Sequence, residues 1–321
     1  MTKTKEKLIV ILGATAVGKT QLSIDLAKEL HTQIISGDSM LVYKGFDIGT
    51  AKPTKEEMSQ VPHHIIDILE PNQNFNVTDF HAEAKKWITD INNCGKIPIL
   101  AGGTGLYIKS LLEGYQFNQT SGDLSYRQHL EALSKEHGRE YVHNMLREID
   151  PDTANRLHIN NFNRIIRALE VHHLGKESIS QENQFARSGE LSYDVYVIGL
   201  KRERSILYER INKRVDIMIE QGFVDEVKSL LAQRIDINCQ PMKGIGYREI
   251  ASYLNGEISL EKAMEEMKKA TRHFAKRQFT WYKKMPYINW YDADMLSYEE
   301  LLHNVKNSCK KAFDIIEYIC E

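Results

Sequence analysis

The chain has 321 residues, of which 42% are apolar and 27% charged, with a net charge of 42 − 44 = −2. That length suits one large domain or two ordinary ones, and the composition excludes wholesale disorder. The charge balance excludes a uniformly basic nucleic-acid coat while leaving room for a local basic face.

The polar start MTKTKEK predicts no signal peptide. Lys7–Gly13 (KLIVILG) is a short apolar run ending in glycine, which predicts a strand buried on both faces. A helical pattern follows over Lys19–Leu30, with Leu22, Leu26 and Leu30 on one stripe. Gln33–Ile35 predicts a second strand, ending at Ser36-Gly37-Asp38-Ser39. Ile97–Leu100 predicts a third, broken at Gly102-Gly103-Thr104-Gly105, with a helix over Leu106–Leu112. From Phe117 to Tyr193 no strand-like run occurs. Helical patterns cover Arg127–Leu133, Tyr141–Ile149 and Phe162–Leu174, with Asp150-Pro151 as a break.

Val195–Leu200 resumes the sheet pattern. The expected fold is α/β, a P-loop NTPase-like parallel sheet flanked by helices. Residues 117–193 are expected to form a mostly helical insertion between core segments 1–116 and 194–321. Long crossover helices within one domain are the alternative. From Arg204 the chain reads as helical almost to its end: Leu207–Gln221 stops at Gly222, and Glu261–Lys284 carries Met264, Met267, Phe274 and Trp281 as an apolar stripe. No apolar run, Leu8–Leu12 included, approaches the roughly 20 residues of a membrane span, so no membrane partner is expected. Cys94, Cys239, Cys309 and Cys320 form no CxxC pair and read as reduced thiols of a cytoplasmic protein.

Gly13-Ala14-Thr15-Ala16-Val17-Gly18-Lys19-Thr20 fits G-x-x-x-x-G-K-[ST] with a strand before it and a helix after it. Such a loop turns backbone N–H groups toward phosphate oxygens, Lys19 adds a full positive charge, and the Thr20 hydroxyl can ligate Mg²⁺. The motif indicates a polyphosphate and leaves open whether ATP binds. An ATPase normally ends a strand in an aspartate that holds magnesium. The strand IPIL is followed by Ala-Gly-Gly-Thr, and the run His64-Ile65-Ile66-Asp67 is the available substitute. Asp38 stands just past a strand's carboxyl end, where ligand sites of open α/β sheets lie, and suits a general base; a turn aspartate is the competing reading. The pairs His63-His64 and His172-His173 lack completing ligands at useful spacing and read as structural.

GATAVGKT, ISGDSMLVYKGFDIGTAKPT (Ile35–Thr54) and ILAGGTGLYIKSLLEG (Ile99–Gly114) together resemble the tRNA dimethylallyltransferase family. Four more segments follow in family order: NRIIRALEVHHLGK (Asn163–Lys176), ERINKRVDIMIEQGFVDEV, KGIGYREI and TRHFAKRQFTWYKK. The resemblance implies transfer of a dimethylallyl group from dimethylallyl diphosphate to N6 of the adenine 3′ of the anticodon, giving N6-isopentenyladenosine. It implies Gly13–Thr20 as the cradle for the leaving diphosphate, Mg²⁺ on Thr20, Asp38 as base and Thr104 as a positioning contact. Arg214 is the implied extra diphosphate clamp, with Arg210 as rival one turn earlier.

For the tRNA anticodon stem-loop the resemblance implies contacts from Asp38, Ser39, Met40, Leu41, Thr104, Arg127, Asn163, Arg164, Ile165, Ile166, Arg167, Lys276 and Arg277. It also puts the loop Gly244-Ile245-Gly246-Tyr247-Arg248 close to the RNA. Extrusion of the target base into a pocket and a basic face for the backbone are what such chemistry requires. The run Lys268, Lys269, Arg272, Lys276, Arg277, Lys283 and Lys284 supplies that face. A monomer is expected. The competing functions are an adenylate isopentenyltransferase acting on free nucleotide, a P-loop nucleoside or metabolite kinase, and a pure RNA-binding module.

Overall fold

The computed structural model describes residues 4–115, 117, 123–175 and 189–314; Lys176 and Cys320 lie outside them. Six strands form one parallel sheet in the order β3-β2-β4-β1-β5-β6. The strands are β1 Lys7–Gly13, β2 Ile34–Ser36, β3 His63–His64, β4 Ile99–Gly102, β5 Asp194–Lys201 and β6 Ile288–Asp292. This is the P-loop NTPase-like sheet flanked by helices that the sequence predicts. Leu8 to Leu12 of β1 are fully buried, which is why that run has no polar alternation. The core joins β1 to Leu22 and Leu26 of the helix Lys19–Glu29, Leu207 and Ile211 of Arg204–Glu220, Ala275 of Leu260–Tyr282 and Val305 of Tyr298–Ala312.

Register decides where the site forms. Leu12 pairs with Gly102, Gly13 with Leu200 and Ser36 with Ala101. The carboxyl ends of β1, β2, β4 and β5 are therefore level, and the loops that follow them emerge along one edge of the sheet.

The expectation of helix almost to the end is overturned by β6, which pairs in parallel with Val197–Lys201 of β5. Pro286 closes off any continuation of the helix Leu260–Tyr282, and only Ile288 of the strand is buried. β3, a two-residue strand directly after Pro62, is the opposite edge, and no apolar run marks it in the sequence. β4 starts at Ile99, two residues later than expected. Pro98 has no N–H for the ladder, although its carbonyl accepts from Ile9 N at 3.0 Å. The stripe of Leu260–Tyr282 also differs. Ala263, Met267, Ala275, Gln278 and Tyr282 are buried, whereas Met264, Phe274 and Trp281 are only partly covered. Gly222 (φ 95°) ends Arg204–Glu220 and opens Phe223–Ala232.

By internal packing the chain divides into two compact units, Met1–Lys109 with Tyr193–Glu321, and Ser110–Ser192. The second unit has no strand among the described residues. Its helices Leu124–His137, Arg139–Ile149, Pro151–Arg156 and Phe162–His173 close around Leu130, Val142, Leu146, Ile165 and Leu169. Asp150-Pro151 begins a helix here: Asp150 accepts from Thr153 N at 2.9 Å and proline occupies the first turn. No helix among the described residues is long and apolar enough to cross a membrane.

Candidate active site

The phosphate loop connects β1 to the helix Lys19–Glu29. Gly18 opens that helix at φ 116°, a left-handed conformation that glycine adopts without strain. The loop is braced from outside. Arg210 donates Nε–H to Ala16 O at 2.9 Å, and Arg202 donates Nε–H to Val17 O at 3.0 Å while gripping Ala293 O and the Asp294 carboxylate. Lys19 Nζ donates to the Gly13 and Ala14 carbonyl oxygens at 2.9 and 3.0 Å.

Thr15, Lys19 and Thr20 line a cavity of about 430 Å³, and Asp38, Ser39, Met40, Leu41, Thr104 and Arg214 line it too. Asp38 follows β2 and accepts Met40 N–H on Oδ1 at 2.8 Å. Burial pushes its carboxyl above the ordinary aspartate value, against the pull of the Met40 and Leu41 amides and the Lys19 charge. Burial, then repulsion from Arg214, brings Lys19 down to about 8, with Asp38 opposing. Two charged groups are thus both destabilised inside one pocket, the usual condition of a working site.

Thr104 is locked to the Asp38 loop. Its Oγ1 accepts Ser39 N–H at 3.1 Å, and its own N–H reaches Gly37 O at 3.3 Å. The glycines around it are points of close approach. A Cβ on Gly102 would lie 2.3 Å from Gly37 O, and one on Gly103 would lie 2.5 Å from Gln278 Nε2. The Gly-Gly-Thr-Gly turn therefore needs its glycines for close packing.

Asp67, the substitute magnesium aspartate of the sequence reading, is paired with the buried Lys52 ammonium, which also holds Asp47 at 2.5 Å and Tyr43 O at 2.8 Å. It does not line the cavity, although Ile66 and His63 do. His63 bonds Val61 O, and His64 bonds Gln33 while stacking on Trp87. No group of three metal-ligating side chains occurs among the described residues. Mg²⁺ commonly takes only one or two protein oxygens and completes its shell with substrate phosphates and water. The Thr20 hydroxyl, which lines the cavity, fits an ion of that kind.

The IPP transferase family model matches residues 41–285. A tRNA dimethylallyltransferase of Bacillus cereus is 50% identical over 289 residues, 90% of each chain. The chain belongs to the IPP transferase family. Two solved structures are similar along nearly the whole chain. The full-length tRNA isopentenylpyrophosphate transferase of Bacillus halodurans is 42% identical, with TM-score 0.72 and 97% of each chain covered. A eukaryotic dimethylallyltransferase acting on tRNA is 31% identical, with TM-score 0.79, covering 95% of this chain and 78% of that one.

Not every residue implied by likeness to the IPP transferases faces the cavity. Arg214 does, and among the described residues it has no carboxylate partner; Arg210 is engaged with the loop backbone. Arg277 is exposed, borders the cavity and sits 5.7 Å over the Phe274 ring; Lys276 is exposed beside it. Lys268 pairs with Asp216 at 2.5 Å and Arg272 with Asn212 at 2.6 Å, so part of the basic run is folded against Arg204–Glu220.

In the helical unit, Asn163 and Arg164 are exposed, while Ile165 and Ile166 are core. Arg127 grips the fully buried Glu170 through Nε (2.6 Å) and Nη2 (2.7 Å), and Arg167 adds a third bond at 2.6 Å. Tyr247 is buried, its hydroxyl on Glu226 at 2.6 Å; the same carboxylate accepts from Ile48 N at 2.7 Å and so holds a cavity wall. Among the residues that brace the IPP transferase site, the sequence assigned no role to Arg202 or Gln278, and it marked Tyr282 only as an aromatic within the basic run. The available signal was a glutamine and a tyrosine standing four apart on a buried stripe.

Proposed function

We propose that this chain transfers the dimethylallyl group of dimethylallyl diphosphate to N6 of the adenine 3′ of the anticodon in tRNA, acting as a cytoplasmic monomer. The observation that carries this reading is one cavity lined by both Lys19 of an anion-cradling loop and a desolvated Asp38 beside Thr104.

In the reaction the allylic C–O bond breaks, the C–N bond to N6 forms, the N6 proton goes to Asp38, and diphosphate departs. Lys19, Arg214 and the loop amides stabilise the charge that develops on the departing oxygen, where preorganised donors act most strongly. Mg²⁺ held at Thr20 would add Lewis-acid neutralisation of that diphosphate. Ile211, Val215, Met218, Met267 and Phe274 form an apolar wall suited to a five-carbon chain. Asp38, raised by burial, is a better proton acceptor than a solvated aspartate. The extruded adenine would enter beside Ser39, Met40 and Thr104, with Lys276 and Arg277 meeting backbone phosphates and Arg127, Asn163, Arg164 and Arg167 offering a second patch.

The decisive experiment incubates the protein with dimethylallyl diphosphate, Mg²⁺ and an anticodon stem-loop, read by mass spectrometry. A C5H8 gain on one adenine is expected. Gain only on AMP, or γ-phosphate transfer from ATP without prenylation, would replace this reading with the nucleotide-acceptor or kinase alternative.

A further inference from the structure

Gln278 is 5% exposed, yet both ends of its carboxamide are used. Its Oε1 accepts Thr15 N–H at 2.9 Å, and its Nε2 donates to Gly103 O at 2.9 Å. One turn later, the Tyr282 hydroxyl lies 2.9 Å from Gly103 O and 3.2 Å from Gly13 O, donating between them. Gly13 and Thr15 belong to the phosphate loop. Gly103 precedes Thr104, whose hydroxyl holds the Ser39 amide next to Asp38. Glutamine on a buried helix stripe is costly unless fully paired, and an aliphatic residue would serve packing better. Gly103 also has to be glycine for the amide to approach.

We infer that Gln278 is a positioning residue, which with Tyr282 sets the separation between the leaving-group loop and the Asp38–Thr104 side of the cavity. The inference rests on the roles proposed for those two sides. Displacement at carbon needs nucleophile, carbon and leaving oxygen in line, and a shift of about 1 Å can cost roughly 10²-fold in rate. The same helix carries Lys276 and Arg277 on its exposed face, so the residues that would meet RNA and the residues that join the two halves of the site share one rigid element.

The test uses the full chain in single-turnover assays with saturating dimethylallyl diphosphate, Mg²⁺ and anticodon stem-loop. Gln278→Met, similar in length without the polar ends, should lower the rate about 10²-fold while both substrate affinities stay within about threefold of wild type. Gln278→Glu supplies a distinct signature. Protonated, the carboxyl reproduces both bonds; ionised, it cannot donate to Gly103 O. Its rate relative to wild type should therefore climb as pH falls from about 8 to about 6, since burial favours the neutral acid.

A wild-type rate for Gln278→Met, a loss fully explained by fewer active sites in a burst titration, or a pH-independent Gln278→Glu ratio would each overturn the positioning role. Asp38→Ala in the same assay keeps the underlying reading separate. A slow Gln278→Met beside a fast Asp38→Ala would retain the bridge and discard Asp38 as the base.

Discussion

Arg210 and Arg214 stand one helical turn apart and have different work. Arg210 donates to the Ala16 carbonyl and stiffens the phosphate loop, whereas Arg214 lines the cavity and adds its repulsion to the burial that lowers the Lys19 pKa. An arginine kept near another buried cation needs an anion to balance it. Arg214→Ala should lower kcat/KM for dimethylallyl diphosphate by roughly 10²-fold, the scale of losing one preorganised charge donor. Arg210→Ala should cost less in rate and show instead as a lower unfolding midpoint. Steady-state kinetics and thermal melts on both variants check the contrast.

Removal of the proposed base should act mainly on chemistry. Asp38→Ala is expected to lower the single-turnover rate by about 10²–10⁴-fold. Stem-loop affinity should change little, which a filter-binding titration would establish.

Two perturbed groups set the pH profile. As the proposed base Asp38 must be ionised, and burial raises its pKa, so the acid limb of kcat/KM should lie above the ordinary aspartate range. In the proposed role Lys19 must be charged to hold diphosphate, and burial with Arg214 repulsion lowers its pKa to about 8, so affinity for the donor should fall as pH rises through that value. In Lys19→Arg the alkaline limb should move beyond the accessible range, because guanidinium stays charged.

Glu170 gathers three partners inside the helical unit. It is fully buried and bonds Arg127, Arg167 and the Asp123 amide, the last at 2.8 Å. Arg127→Ala leaves that carboxylate short of two bonds and should destabilise the unit by about 1–3 kcal/mol. Chemical denaturation measures this, and any loss of tRNA affinity in that variant must be corrected for the unfolded fraction.

The exposed pair Lys276 and Arg277 should act on binding in a salt-dependent way. Replacing both with alanine should reduce the slope of log affinity against log salt by roughly 1.5, given about 0.7–0.9 per phosphate contact. An unchanged slope would place this helix face away from the RNA.

The readable parts of the chain were those whose structure is decided by neighbours in sequence. The run Leu8–Leu12 announces a buried central strand, and the glycine, lysine and threonine spacing after it announces an anion loop. β3 and β6 carried no comparable signal. They are short edge strands with few buried residues, and their identity comes from pairing with β2 and β5. Of the apolar stripe assigned to Met264, Met267, Phe274 and Trp281, only Met267 is buried, for a related reason. Helical spacing admits several faces, and packing against the sheet selected the one bearing Gln278 and Tyr282.

The sequence by itself determined the parallel α/β plan, the polyphosphate-type loop and the place of Asp38 past a strand end, because each depends on backbone preferences over a few adjacent residues. Only the tertiary structure decided that Arg214 rather than Arg210 lines the cavity, that Asp67 is held by Lys52, and that Gln278 meets Thr15 from 263 positions away. Hydrogen bonds and ion pairs act over about 3 Å and along fixed directions, so partners far apart in the chain are chosen by the fold that brings them together.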